Sequence, residues 1–244
     1  MINLSVNVNK VATLRNSRGG RVPSVLDAVR VCVDAGVPGI TVHPREDERH
    51  ITPRDVREIA EYLHSLSRAV EYNLEGDPRP AFLQLVHDVK PTQCTLVPVV
   101  PGEVTSQTGW SPGAPPDEIG RVTRDLKAAG IRVSLFVEPV ADAVRWAVAA
   151  GGQRIELYTE PFAREFAADP ARGARSFETY AHAAELAHTL GLGVNAGHDL
   201  DLQNLPMFRR LPHLDEVSIG HALVSHALFV GLERAVHEYL DALR

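Results

Sequence analysis

The chain is 244 residues long, 44% hydrophobic, and carries a formal net charge of −6. That size and apolar content suffice for one barrel-sized domain with a substantial core, and the acidic balance, without any long basic run, excludes nucleic acid as the main partner. No apolar stretch approaches the ~18 residues of a membrane span, the opening MINLSVNV starts a strand with no basic-then-apolar leader, and the two cysteines have neither metal-ligand nor redox spacing, which predicts a reduced, cytoplasmic chain.

Eight short β-branched runs recur along the chain, each ending in a polar or glycine-rich corner and giving way to an amphipathic stretch. The first covers residues 4–8; residues 9–22 after it exceed ordinary loop length and are read as a ligand-covering loop. A helix that Gly36 should close leads to the second run, 39–43. Thr52-Pro53-Arg54-Asp55 then supplies an N-cap hydroxyl, a proline at the first helical position and an acid in the first turn, with Val56, Ile59, Ala60 and Leu63 spaced for one buried face. The third run is 70–75 and the fourth 93–97; residues 99–116, rich in Gly, Pro, Ser and Thr, form a second candidate covering loop. Gly130 precedes the fifth run, 132–137, and Pro139 is expected to open a helix that turns Ala143, Val144, Ala147 and Val148 to the sheet and ends at Gly151-Gly152. Runs 154–158, 193–195 (after a helix ended by Gly191) and 216–219 complete the set. Strand-then-helix alternation implies parallel strands with right-handed crossovers, and eight units imply closure. The expected fold is α/β, a single (β/α)₈ TIM barrel domain over 1–244 with extra helices.

In such a barrel, chemistry gathers at the C-terminal ends of the strands. Those ends carry Asn7, Asn9, His43, Arg45, Glu75, Glu156, Asn195, His198, Gly220 and His221. The densest cluster is residues 40–50, where a buried strand delivers His43 to the barrel mouth and a charged loop presents Arg45 and His50; Arg49 and the neighbouring acids fit a solvated rim equally well. An imidazole shuttles protons near neutral pH, and a guanidinium grips a phosphate through paired hydrogen bonds. Glu75 ends the third run, and a carboxylate there is costly unless paired, bonded or used, so it is a candidate general base with a structural ion pair as the alternative. Glu156 is similar, placed to stabilise a developing cation or orient a water. Two glutamates and three histidines on one cavity suit successive proton transfers better than a hydride transfer. Asn195-Ala196-Gly197-His198 and Ser218-Ile219-Gly220-His221 follow the last two strands, where barrels commonly bind phosphate. His64, His87, His182, His188 and His237 fall in expected helices, and His213 and His226 lie outside the cluster. No zinc spacing, dinucleotide fingerprint or nucleophile elbow occurs, so neither a metal nor another cofactor is expected.

Several blocks have a family likeness. The stretch Asn7-Val8-Asn9-Lys10-Val11-Ala12-Thr13-Leu14-Arg15-Asn16 with Arg18, the stretch from Gly39 to His43 with Arg45-Glu46-Asp47 and Arg49-His50-Ile51, and Asn73-Leu74-Glu75 resemble pyridoxine 5′-phosphate synthases. So do Leu96-Val97-Pro98, Glu103-Val104-Thr105-Ser106, Val194-Asn195-Ala196-Gly197-His198 and Ile219-Gly220-His221-Ala222, in order and without a large gap. The resemblance implies a barrel assembled as a homo-octamer, with two phosphorylated small-molecule substrates: 1-deoxy-D-xylulose 5-phosphate condenses with 3-amino-2-oxopropyl phosphate to give pyridoxine 5′-phosphate, phosphate and water. It implies His43 and Glu75 as proton acceptors, His198 as proton donor and Glu156 as transition-state stabiliser. Asn7, Arg18, Gly220 and His221 would hold the aminoketone phosphate, and Asn9, Lys10, Arg45, His50 and Thr105 the deoxyxylulose phosphate.

The chain departs from the commoner pattern at three places. Asn9-Lys10 stands where Asp-His is usual, which adds positive charge near a bound dianion and removes a titrating group, and other members share this pair. Pro44 replaces a leucine and stiffens the loop to Arg45. Asp199 stands where glycine is also found, so no ligand role is carried onto it. Two other readings stay open: a Schiff-base aldolase using Lys10, and a paralogue that binds a phosphorylated metabolite without turnover, which would have no need of His43, Glu75, Glu156 and His198 together.

Overall fold

Period-two alternation decides which residues of each strand face the barrel axis and which face the helices. In the computed structural model, which describes residues 2–98 and 108–244, eight parallel strands close into a barrel in sequence order. They are β1 (Asn3–Asn7), β2 (Gly39–Val42), β3 (Glu71–Gly76), β4 (Gln93–Leu96), β5 (Arg132–Val137), β6 (Arg154–Tyr158), β7 (Gly193–Gly197) and β8 (Leu214–Ile219). Closure is made by β1, whose Ser5 is paired with Gly39 of β2 on one side and Ser218 of β8 on the other. The helices are α1 (Asn9–Asn16), α2 (Val25–Asp34), α3 (Pro53–His64), α4 (Pro80–Val89), α5 (Pro116–Ala128), α6 (Ala141–Ala149), α7 (Glu160–Ala168), α8 (Pro170–Thr189), α9 (Leu205–Phe208), α10 (His221–Val230) and α11 (Leu232–Ala242).

The apolar core lies between strands and helices. Val6, Ile40, Leu74, Leu135, Ile155 and Val217 on the strands are fully buried with Val29, Val56, Ile59, Leu126 and Val144 of the helices. The interior of the barrel is different. Where such interiors are usually filled by branched apolar side chains, Ser5 and Thr41 share a 2.6 Å hydrogen bond, Asn73 donates to Thr41 (3.4 Å), and Thr95 donates to Asn73 (3.0 Å). Nearer the strands' N-terminal ends, Arg132 bonds both Gln93 and Glu71, and Arg154 donates to Asn195 (3.0 Å), which in turn donates to Glu216 (3.3 Å). Most of these buried polar groups satisfy one another, while Gln93 Nε2, Ser134 Oγ and Glu216 Oε2 lack a partner.

Some boundaries differ from the sequence expectation. Half of the expected covering loop at 9–22 is the helix α1, polar on most sides with only Val11 and Ala12 buried, so no apolar stripe announced it. The helix expected from Pro139 starts at Ala141, because Val140 is extended (φ −124°, ψ 145°). Strand β7 runs on to Gly197 and β8 starts at Leu214, each two residues longer than read. Gly36, Gly130 and Gly191 take positive φ where helix ends were expected. Half of the second expected loop, residues 99–107, lies outside the described residues.

One contact outside the barrel holds the mouth in place. Thr52 and Asp55 form the capping box at the start of α3. Arg15 of α1 clamps Asp55 through bonds of 2.5 and 2.8 Å and donates to the His50 carbonyl (3.1 Å), which also accepts from Asn16 (2.8 Å). Burial works against the Asp55 charge, yet Arg15 and Thr52 together hold its carboxyl below the usual range. Asp55→Ala removes a cap worth about 1 kcal/mol and charge-assisted bonds of about 1.5 kcal/mol or more. Thermal denaturation should therefore show a loss of at least about 2 kcal/mol, several degrees for a chain this size; an unchanged midpoint would contradict this role.

Candidate active site

The strand ends surround a cavity of about 390 Å³. Its wall contains His43, Glu75, Glu156 and His198, and also Asn7, Asn9, Lys10, Arg45, His50, Gly220 and His221. Arg18 is not among the residues that line it. It sits in the exposed turn after α1, and Thr105 lies outside the described residues. Asn195, one of the strand-end residues, is displaced as well: because β7 continues for two more residues, its side chain bonds Arg154 and Glu216 inside the barrel. Thr13, Val97, Phe136, Ser218, Arg49 and Asp199 complete the lining. Ser218 has the same inward parity as Glu216 and was findable from strand alternation, whereas Thr13 reaches the cavity only because residues 9–16 are helical.

Local structure explains how each group is held. Asn7 accepts from the Asn9 backbone (3.0 Å) and donates to Glu75 (3.4 Å), while Asn9 accepts from the His43 backbone (2.9 Å). One asparagine pair thus ties β1, β2 and β3 together at the mouth. Glycines at the late corners provide room. A Cβ on Gly197 would sit 2.4 Å from a carboxylate oxygen of Glu156, and one on Gly220 would sit 3.0 Å from Asn7. Glu156 therefore occupies the space that a side chain at 197 would need. Gly220 caps α10, so the amino end of that helix, with His221 as its first residue, opens on the cavity.

Burial controls the protonation states. It holds the His43 imidazole down to about 3, helped by His50 and Arg45, so the ring is neutral near neutral pH. Burial also raises the Glu75 carboxyl well above its ordinary value, reinforced by Glu156 and Glu216, so this acid keeps its proton. The 3.9 Å approach of His43 Nδ1 to Glu75 Oε2 is accordingly a contact between two neutral groups and no salt bridge. Glu156 is pushed up to about 7 by burial, against the Thr95 hydroxyl and His198, which favour its ionised form. Burial, Arg45 and Lys10 lower His50 to about 4. Its Nδ1 accepts from the Ile51 backbone (2.9 Å), which puts the remaining proton on Nε2 as a donor. Among the described residues, His43 Nε2 and Glu156 Oε2 are buried with no hydrogen-bond partner.

The rim has the opposite character. Lys10, Arg45 and Arg49 bring positive charge to one side of the cavity, and Asp47 is bound by Arg49 at 2.7 and 2.5 Å. Cationic side chains, a neutral imidazole donor and a helix amino end around buried titratable groups are an arrangement able to grip a phosphate. The remaining histidines stay outside: His226 bonds Glu238 (2.5 Å), and His213 bonds Glu185 (3.0 Å) and stacks on His188 (3.7 Å). Among the described residues no group of three or more His, Cys, Asp or Glu is placed to hold a metal ion.

The family model described as pyridoxal phosphate biosynthesis protein PdxJ matches residues 4–244. The chain is 49% identical to the pyridoxine 5′-phosphate synthase of Christiangramia forsetii and 50% identical to that of Bacteroides fragilis, over 100% of both chains in each case. It is 49% identical to that of Leptospira biflexa, over 100% of this chain and 97% of the relative. Solved structures share the fold at low identity. Thiamine phosphate pyrophosphorylase from Pyrococcus furiosus has a TM-score of 0.60 at 14% identity, covering 99% of this chain and 95% of its own. Phosphoribosyl anthranilate isomerase from Thermus thermophilus has a TM-score of 0.57 at 15% identity, covering 100% of both.

The shift of Glu156 has a consequence for stability. Its folded value of about 7 exceeds the ordinary 4.5, so the stability it contributes is complete below the unfolded value and is lost as pH rises through the folded one. Glutamine resembles the protonated acid at every pH. The stability of Glu156→Gln relative to the wild-type chain should therefore improve by about 2 kcal/mol between about pH 5 and about pH 8. Urea denaturation at both pH values measures this, and a constant difference would show that Glu156 ionises normally.

Proposed function

The chain belongs to the family of pyridoxal phosphate biosynthesis protein PdxJ, the pyridoxine 5′-phosphate synthases of vitamin B6 biosynthesis, and on that premise we propose that it condenses 1-deoxy-D-xylulose 5-phosphate with 3-amino-2-oxopropyl phosphate. The products are pyridoxine 5′-phosphate, inorganic phosphate and water. The observation that carries this reading is a single cavity in which a neutral His43, a protonated Glu75 and a Glu156 poised near 7 lie under a cationic rim. Imine formation, phosphate loss, hydration and ring closure each move protons, and both substrates are phosphate monoesters.

The roles follow from the states of the groups. His43 is unprotonated near neutral pH and so available to accept a proton, a role that falls to Nε2 as its unpartnered nitrogen. Glu75 becomes one when the ammonium or iminium of the aminoketone enters, because a cation beside it offsets the cost of the buried carboxylate. Glu156 ionises readily enough to balance the positive charge that develops during condensation. His198 donates to the leaving group. Asn7, Gly220 and His221, with the amino end of α10, hold the aminoketone phosphate; Asn9, Lys10, Arg45 and His50 hold the deoxyxylulose phosphate. Arg18 and Thr105 keep their family roles in this scheme on the resemblance alone. Lys10 is exposed, which disfavours the Schiff-base reading, since a solvated lysine lacks the desolvation that helps a nucleophilic amine lose its proton. A binding-only chain would have no use for four acid–base groups in one cavity.

A homo-octamer in the cytoplasm belongs to the same proposal. Its support is the apolar surface that Leu228 and Phe229 present on α10, 70% and 89% exposed, and two free, buried cysteines. No helix among the described residues is long and apolar enough to cross a membrane.

An assay supplied with both substrates should release inorganic phosphate and pyridoxine 5′-phosphate in equal amounts; tight binding without product would contradict the proposal. In the same assay Glu75→Gln should lower kcat by about 10²–10⁴-fold, the usual worth of a general base, and leave KM within about threefold. Near-normal turnover in that variant would remove Glu75 from the mechanism.

A further inference from the structure

The corner after β7 does more than present His198 to the cavity. Its backbone is pinned on both sides: Thr159 donates to the carbonyl of Gly197 (2.7 Å) and also to that of His198, and Asn204 donates to that of Asp199 (3.2 Å). Two successive residues with side chains, His198 and Asp199, are held at φ 80° and 56°. That left-handed region costs most side-chain-bearing residues about 1 kcal/mol; glycine escapes the cost, and Asp and Asn reduce it by local hydrogen bonding. At position 199 the side chain retained despite that cost is a carboxylate, and its Oδ2 lies 2.6 Å from His198 Nδ1. The hydrogen bond from His198 holds the Asp199 carboxyl below its usual range, with His221 and Lys10 adding to the effect. The ring of His198 meets that of Tyr158 edge-on at 5.3 Å between centroids.

We infer that Asp199 is a positioning residue for His198: it accepts the Nδ1 proton, fixes one imidazole tautomer and orientation, and assigns proton exchange with the substrate to Nε2. This rests on the reading of His198 as the proton donor. The step then balances simply. The imidazolium gives its Nε2 proton to the oxygen of the departing group, the bond to that group breaks, and a neutral imidazole with its proton on Nδ1 remains beside an Asp199 that stays ionised throughout. Asp199 is an anion in a cavity that receives phosphates, so it gives nothing to substrate affinity, and its removal should act on kcat and leave KM unchanged or lower.

Two substitutions test the inference without endangering the fold. Asp199→Gly suits the left-handed backbone, and Asp199→Asn keeps the side-chain size and tolerates the same conformation. Nitrogen-15 spectra of histidine-labelled free enzyme, with His198 assigned by its loss in His198→Gln, read the tautomer directly. The wild-type chain should carry the neutral-ring proton on Nδ1, and both variants should lose that preference. Turnover should fall by about ten- to a hundredfold, the usual effect of removing an orienting partner, with KM unchanged within about twofold. An unchanged His198 tautomer, or an unchanged kcat in Asp199→Gly, would overturn the inference. If the wild-type chain made no pyridoxine 5′-phosphate, the functional reading would fail, and the spectra would still decide whether Asp199 sets the His198 tautomer.

Discussion

A carboxylate carried into the axis of this barrel leaves water behind, and that desolvation organises the rest of the site. Glu75, Glu156 and Glu216 all project inward, and burial raises each of them, with the others' charges adding to the effect on Glu75. Near the strands' N-terminal ends Arg132 meets the cost for Glu71, whereas Glu216, with one oxygen accepting from Asn195 and the other unpartnered, is raised by burial like the acids at the mouth. Toward the mouth such partners run out, and the acids keep protons. The interior therefore grades from paired ions to neutral acids, and the neutral end faces the cavity.

Phosphate chemistry needs the reverse electrostatics, and the molecule separates the two by height. The segments beyond the strand ends carry Lys10 on α1 and Arg45 and Arg49 in the loop after β2, while the carboxyls stay one layer below. Burial is the main reason that His43 and His50 stay neutral under the rim, and Arg45 adds to it at both rings, with Lys10 and Arg49 adding to it at His50. Charge that would bind a phosphate thus also helps to keep the bases unprotonated. The asparagine pair Asn7–Asn9 fixes the spacing between the layers by bonding Glu75 and the His43 backbone, and the Arg15–Asp55 clamp fixes the loop that carries His50.

Much of this was legible in the sequence because barrels couple position to pattern. Eight β-branched runs ending in polar corners sufficed for the topology, and Thr52-Pro53 with Asp55 marked the start of α3 to the residue. His43, Glu75, Glu156 and His198 were placed toward the mouth by the strand pattern, and all four line the cavity. What escaped depended on side-chain direction or on contacts between distant elements. Asn195 looked like a mouth residue until β7 proved two residues longer. Glu216 began a run and looked unremarkable as a strand residue, though its inward parity makes it a buried acid. Residues 9–16 lacked the apolar stripe that announces a helix, so Thr13 was missed with them. Asp199 was legible as a deviation, but its bond to His198 depends on two left-handed residues in succession, which no local propensity favours.

Burial keeps protons on carboxyls at the barrel mouth near neutral pH. Carbon-13 spectra of the glutamate-labelled free enzyme test it most directly, with Glu75 and Glu156 assigned by their glutamine variants and followed across the pH range. The account predicts that Glu75 remains protonated at neutral pH and that Glu156 titrates near 7. Ionisation of both at the ordinary glutamate value, about 4.3, would contradict it.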